Sequence, residues 1–207
     1  MDRLASAEPV PGGGSAAAVA ASLAAALVSM VASLSEGRPR YAEHAALHAE
    51  AIVAARGLAG RFLALADEDA AAYAGFGLAM RLPRETDAEQ AARREAIRAA
   101  ARVASAVPFR TVEACAETVA LAEALAGRSN RNAASDLEVA GLLAVAAARA
   151  AAESVYVNLP LIEDDAFADG LRARTGERVD DVERLADGVR ELVHSGDARD
   201  PVPGRGA

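Results

Sequence analysis

Between Pro9 and Ser35 the chain carries no charged residue, and most of that run is Ala, Ser and Gly. Side chains this small suit a helix whose neighbours approach closely, as in the centre of a tight bundle. On length alone the run would also cross a bilayer. Its few large side chains, the Gly12-Gly13-Gly14 interruption and a start, Met1-Asp2-Arg3-Leu4, with no cationic leader region argue against a membrane span or a secretion signal. A membrane-associated helical protein is kept as the distant alternative.

Composition points the same way. The 207 residues include 57 alanines but only 3% aromatics, so the best helix former is abundant and strand-favouring residues are sparse. An all-α fold is expected, against all-β or doubly wound α/β architectures. One cysteine excludes an internal disulfide and a Cys-rich zinc site. All 22 basic residues are Arg, which removes Schiff-base chemistry and any Walker lysine. A formal net charge of −8 disfavours nucleic acid as a partner. Length suits one domain over 1–195, followed by a tail, 196–207, whose Gly, Pro, Asp and Arg content predicts disorder.

Helix punctuation divides the domain. Ser15 is placed to cap a helix over Ser15–Ser35, which stops near Gly37 and Pro39. A second helical region runs from Tyr41 to Met80, with Gly57 and Gly60 as weak points, and Leu82-Pro83 ends it. Thr86 with Glu89 reads as a capping box for a third helix that ends before Val107-Pro108, and Pro108 then opens a helix to about Ala126. After the loop Gly127–Asn132, Ser135 and Asp136 start a helix to about Asn158. A last helix is expected over Val179–His194. Short loops between long helices predict an up-and-down antiparallel helical bundle.

Several residues stand out chemically. Gly12, Gly13, Gly14 and Ser15 let a ligand approach a helix N-terminus, the plainer alternative being a turn with a serine cap. Asp67, Glu68 and Asp69 lie in an apolar region, where a partly desolvated carboxylate can act as an acid or base; for Asp67 and Glu68 a solvated surface is the simpler reading. Asp136 either caps its helix or serves a site. Asn158 lies in an apolar stretch and needs partners for both ends of its amide, from backbone or ligand. Arg93 and Arg94 face solvent or bind an anion. His44 and His48, four apart, lack the following Glu of a zinc-protease motif and are expected at the surface, and Cys115 and His194 invite no catalytic role.

In this order, Pro11-Gly12-Gly13-Gly14-Ser15, Met30-Val31, Asp69, Ala72-Tyr73, Leu82-Pro83, Arg93 with Ala96-Ile97, Val107-Pro108, Asn130, Asn132, Ser135-Asp136, Val139-Ala140 and Asn158-Leu159 resemble the cyclodeaminase/cyclohydrolase family over residues 4–195. Ser154 departs from the pattern, which often has Asn there.

The resemblance implies a homodimer that binds a tetrahydrofolate derivative near the subunit interface, in the cytoplasm, with no metal or cofactor beyond that substrate. It implies formimidoyltetrahydrofolate cyclodeaminase first and methenyltetrahydrofolate cyclohydrolase second. A non-catalytic folate-binding or structural dimer is the alternative from another class. On the resemblance, Asp69 and Asp136 would supply acid–base and cation-stabilising work. Gly12, Gly13, Gly14, Ser15, Asn132 and Asn158 would hold the pterin or amide, and Arg93 the glutamate carboxylates.

Overall fold

The computed structural model describes residues 2–202. Five α-helices follow one another: α1 Gly13–Ser35, α2 Ala45–Met80, α3 Asp87–Leu125, α4 Ala134–Tyr156 and α5 Asp165–Ser195. Short 3-10 turns, Pro39–His44, Arg131–Ala133 and Leu159–Ile162, precede α2 and α4 and follow α4. The described residues contain no strand. The all-α antiparallel bundle is as the composition predicts.

α1 is the central helix, packed on α2 and α4 with α3 behind. Its buried face is nearly all Ala, with Ala21, Ala24, Ala25 and Ala32 fully excluded from solvent. Such a face brings helix axes close and uses serines as bridges: Ser22 donates to the Ala59 carbonyl of α2 at 3.1 Å. Larger side chains, Phe62, Leu65, Leu125 and Leu137 among them, fill the core around it. The segments Gly13–Ser35 and Arg131–Ile162 have the length and hydropathy to cross a bilayer, and 50% and 44% of their most apolar windows are buried inside the bundle.

Three boundaries differ from expectation. α1 begins at Gly13, and Ser15 lies inside it without capping anything. α3 runs unbroken through Pro108 for 39 residues. Proline leaves the carbonyl four residues back without its helical donor, and here the Asn158 amide donates to that carbonyl, of Ala104, at 3.2 Å. α5 starts fourteen residues earlier than Val179, because Asp164 accepts from the Phe167 N–H at 3.1 Å and fixes a start that interior glycines obscure in the sequence. The capping box of Thr86 and Glu89 forms as read, with both reciprocal bonds present, and Gly57 and Gly60 leave α2 intact.

His44 and His48 are buried, not exposed. The α2 start turns them inward, where His48 Nε2 meets the Arg128 carbonyl at 2.9 Å and the two rings stack edge-on. Of the expected tail, residues 196–202 run back along the end of α3: the Arg199 N–H donates to the Gly127 carbonyl at 3.0 Å and its guanidinium pairs with Glu123 at 2.9 Å. Residues 203–207 lie outside the described residues.

Candidate functional site

α2 continues past the point where α1 begins, and α4 ends beside it. The gap above the α1 N-terminus is a pocket of about 350 Å³, walled by Gly12–Gly14, by Asp69, Tyr73 and Phe76 of α2, by Ala104 of α3, and by Ser154 and Asn158. Small-molecule sites begin at about this size.

Asp69 is the pocket's carboxylate, and its placement depends on Gly14. A β-carbon at position 14 would stand 2.3 Å from Asp69 Oδ1, so no other residue lets the carboxylate lie on the first turn of α1. Ser15, buried in the next position, comes within 2.9 Å of Asp69 Oδ2 and 3.0 Å of the Ala66 carbonyl. One hydroxyl proton serves one acceptor at a time. An ionised Asp69 takes that proton; a protonated Asp69 donates to Oγ while the hydroxyl turns to Ala66. Ser15 thus has an acceptor on α2 whichever way its hydroxyl turns, and that hydroxyl faces α2, away from the pocket.

Asn158 is anchored by its Nδ2, which donates to the Ser154 carbonyl at 2.8 Å and to the Ala104 carbonyl that Pro108 leaves open. Its Oδ1 has no partner among the described residues and is the acceptor the pocket can use. The Nδ2 half of this amide is therefore satisfied by backbone, and the Oδ1 half is unpaired among the described residues. Ser154, at the departure from the family pattern, lines the same wall.

The other sequence-selected residues lie elsewhere. Asn132 and Asp136 are at the opposite end of α1: the Asn130 N–H donates to Ser35 Oγ at 2.7 Å, and about 20 residues of helix, roughly 30 Å, separate Ser35 from Ser15. Asp136 caps nothing, the α4 N-cap being Ala133 with no side-chain bond. The Arg93 guanidinium donates to the Met80 carbonyl at 3.1 Å and so closes the end of α2, away from the pocket. Glu68 pairs with Arg110 of α3 and lines, with it, the groove between α2 and α3. Cys115 is buried, and burial pushes its thiol up to about 12. Tyr73 and Phe76 are pocket walls that sequence reasoning passed over as site residues; their spacing of four and seven from Asp69 puts all three on one face of α2.

The formiminotransferase-cyclodeaminase family model matches residues 1–177. The chain belongs to this family. Among its relatives, a methenyltetrahydrofolate cyclohydrolase of Methylorubrum extorquens is 40% identical over 169 residues, covering 82% of this chain and 81% of that one. A formimidoyltransferase-cyclodeaminase of Sus scrofa is 33% identical over 79% of this chain but only 30% of its own length, so the chain spans less than a third of that relative. The fold is shared with a formiminotetrahydrofolate cyclodeaminase from Thermotoga maritima, at a TM-score of 0.85 and 24% identity, covering 94% and 93% of the two chains.

Proposed function

We propose that this family member is a folate one-carbon enzyme acting at the carbon between N5 and N10, and that it hydrolyses 5,10-methenyl-tetrahydrofolate to 10-formyl-tetrahydrofolate. The observation that carries the reading is the Asp69 carboxylate, held by Gly14 and Ser15 at the wall of a small pocket. The substrate is an amidinium cation, and a fixed carboxylate stabilises that charge and the proton transfers around it.

The steps balance with one mobile proton on the enzyme. Water attacks the bridging carbon, and Asp69 accepts one of its protons. The hydroxyl adduct then collapses: the C–N5 bond breaks, Asp69 returns its proton to N5, and the adduct hydroxyl releases its own to solvent. Asn158 Oδ1 accepts from a pterin or amide N–H. No step needs a metal or a redox cofactor.

Hydrolysis is placed ahead of deamination because the cyclohydrolase relative matches this chain over four-fifths of both lengths. The deaminase reading is favoured by the family description and the animal relatives. In that reaction N10 attacks the formimino carbon and ammonia leaves. The experiment follows the near-ultraviolet band of the methenyl cation in two reactions of purified protein. Loss of the band from 5,10-methenyl-tetrahydrofolate above the uncatalysed rate is expected. Growth of the band with ammonia release from 5-formimino-tetrahydrofolate alone would make it a cyclodeaminase, and no change in either would remove the catalytic reading. A cytoplasmic location belongs to the same proposal, and so does a homodimer, which the exposed apolar side of α1 supports.

A further inference from the structure

At the Ser35 end of α1, about 30 Å from the Asp69 pocket, lies a second pocket of about 310 Å³. Segments far apart in sequence wall it: the 3-10 turn before α2, the loop between α3 and α4, the start of α4, the last turn of α5 and residues 196–198 behind that turn.

The charges in this wall are largely unused. Arg40 and Arg131 both line it, and neither has an ion-pair partner among the described residues. The Arg131 guanidinium lies against the turn that ends α5, where a β-carbon at position 196 would stand 2.6 Å from its Nη2. Gly196 has φ 66°, so this left-handed position favours glycine, and glycine leaves room for the charge. Arg40 is 5.7 Å from the centre of the Tyr41 ring. His194 already meets Glu138, at 3.1 Å. Asp197 is the one carboxylate among the lining residues.

Two hydroxyl protons are unused as well. Ser129 is only 8% exposed, yet its hydroxyl has no hydrogen-bond partner among the described residues. Leaving a buried hydroxyl unpaired is costly, and the opening that Ser129 lines is this pocket. Tyr41 Oη accepts from the Arg131 N–H at 3.2 Å, and its own proton meets no acceptor among the described residues. Two guanidinium groups and two free hydroxyl protons on one cavity call for a ligand group that accepts through several oxygens and carries negative charge. A phosphate or a carboxylate is such a group, and the planar guanidinium fork matches both. Leu192 and Val193 give the rest of the wall an apolar surface for a short carbon body.

We propose that this second pocket binds a small organic anion through a phosphate or carboxylate group, held by Arg40, Arg131, Ser129 and Tyr41. The site is separate from the folate reading and does not depend on it. An occupant ties the end of α5 and the segment behind it to the entrances of α2 and α4.

Calorimetric titration of the full chain with inorganic phosphate and, separately, with glutarate tests the site, and the two probes tell a phosphate ligand from a carboxylate one. Saturable binding of at least one is expected, with a thermal midpoint that rises as that anion is added. Ser129→Ala is expected to weaken this binding about 10-fold and Arg131→Gln at least about 10-fold, with helical circular dichroism and the unliganded midpoint as in the wild type. Arg40→Gln reads the same contact should Arg131→Gln fail to fold. Asp197→Asn is expected to tighten binding by removing the opposing charge. No saturable binding of either anion at millimolar concentration overturns the proposal, and so does binding that Ser129→Ala and Arg131→Gln leave unchanged. Weaker binding in Asp197→Asn also overturns it, because the wall would then be holding a cationic group.

Discussion

Asp69, Ser15 and Gly14 form a unit in which each residue explains another. The sequence shows a glycine triplet before a serine and, 54 positions later, an aspartate in an apolar stretch. That the third glycine makes room for that carboxylate is a tertiary fact, invisible until α1 and α2 are packed. The serine, whose position suggests a cap, instead bridges to α2. Gly14→Ala is therefore expected to displace the carboxylate and lower kcat by at least about 100-fold, the scale of a lost general acid–base group. Helical circular dichroism should stay as in the wild type, because Ala is the better helix former. An unimpaired kcat in that variant would detach Asp69 from the chemistry.

Among the elements, α3 and α4 show how a local rule is answered from a distance. Proline at 108 reads as a boundary because it removes one helical bond and clashes with the preceding turn. The helix continues, and Asn158 of the following segment donates to the orphaned Ala104 carbonyl. Asn158→Leu is expected to cost about 1 kcal/mol by leaving that partly buried acceptor unmet, and to raise KM by removing the pocket amide. Adding Pro108→Ala restores an N–H to Ala104; urea denaturation should show part of the stability returning while KM stays raised. Recovery of both would assign Asn158 a structural role only.

The α2 entrance carries a second element-level consequence. Burial lowers the pKa of His44 below its ordinary value, with nearby His48 and Arg128 adding to the effect and Glu43 opposing it. A group whose protonated form is disfavoured by folding adds stability above its unfolded pKa, and that stability falls as acid protonates the unfolded chain. Denaturation midpoints should drop as pH is lowered from about 7 to about 5, and His44→Phe should flatten that slope. An unchanged slope would place the acid sensitivity elsewhere. Its surface location was the expectation from sequence because an i, i+4 histidine pair carries no sign of which face it occupies.

For the whole molecule, alanine content and helix punctuation made the all-α bundle and most of its helices legible, and the ordered motifs made the family legible. Distance was not. Asp69 and Asp136 are equally marked in the sequence, but one chain holds them about 30 Å apart, because the contacts of Ser15 and Ser35 fix them to opposite ends of the same helix. A pattern read along one chain contains no term for a second copy. If the apolar front of α1 is an interface, unfolding is linked to association, and the thermal midpoint should rise with protein concentration. Light scattering should give about twice the 21.1 kDa chain mass. A concentration-independent midpoint with a 21.1 kDa particle would leave that front without an occupant.

The central claim is that a carboxylate held on the first turn of α1 hydrolyses a folate cation. The direct measurement is the pre-steady-state decay of the methenyl absorbance for wild type and Asp69→Asn, each saturated with 5,10-methenyl-tetrahydrofolate. Decay in the wild type well above the buffer rate, slowed at least about 100-fold in Asp69→Asn with folate still bound, is the predicted result. Equal decay in the two proteins would contradict it.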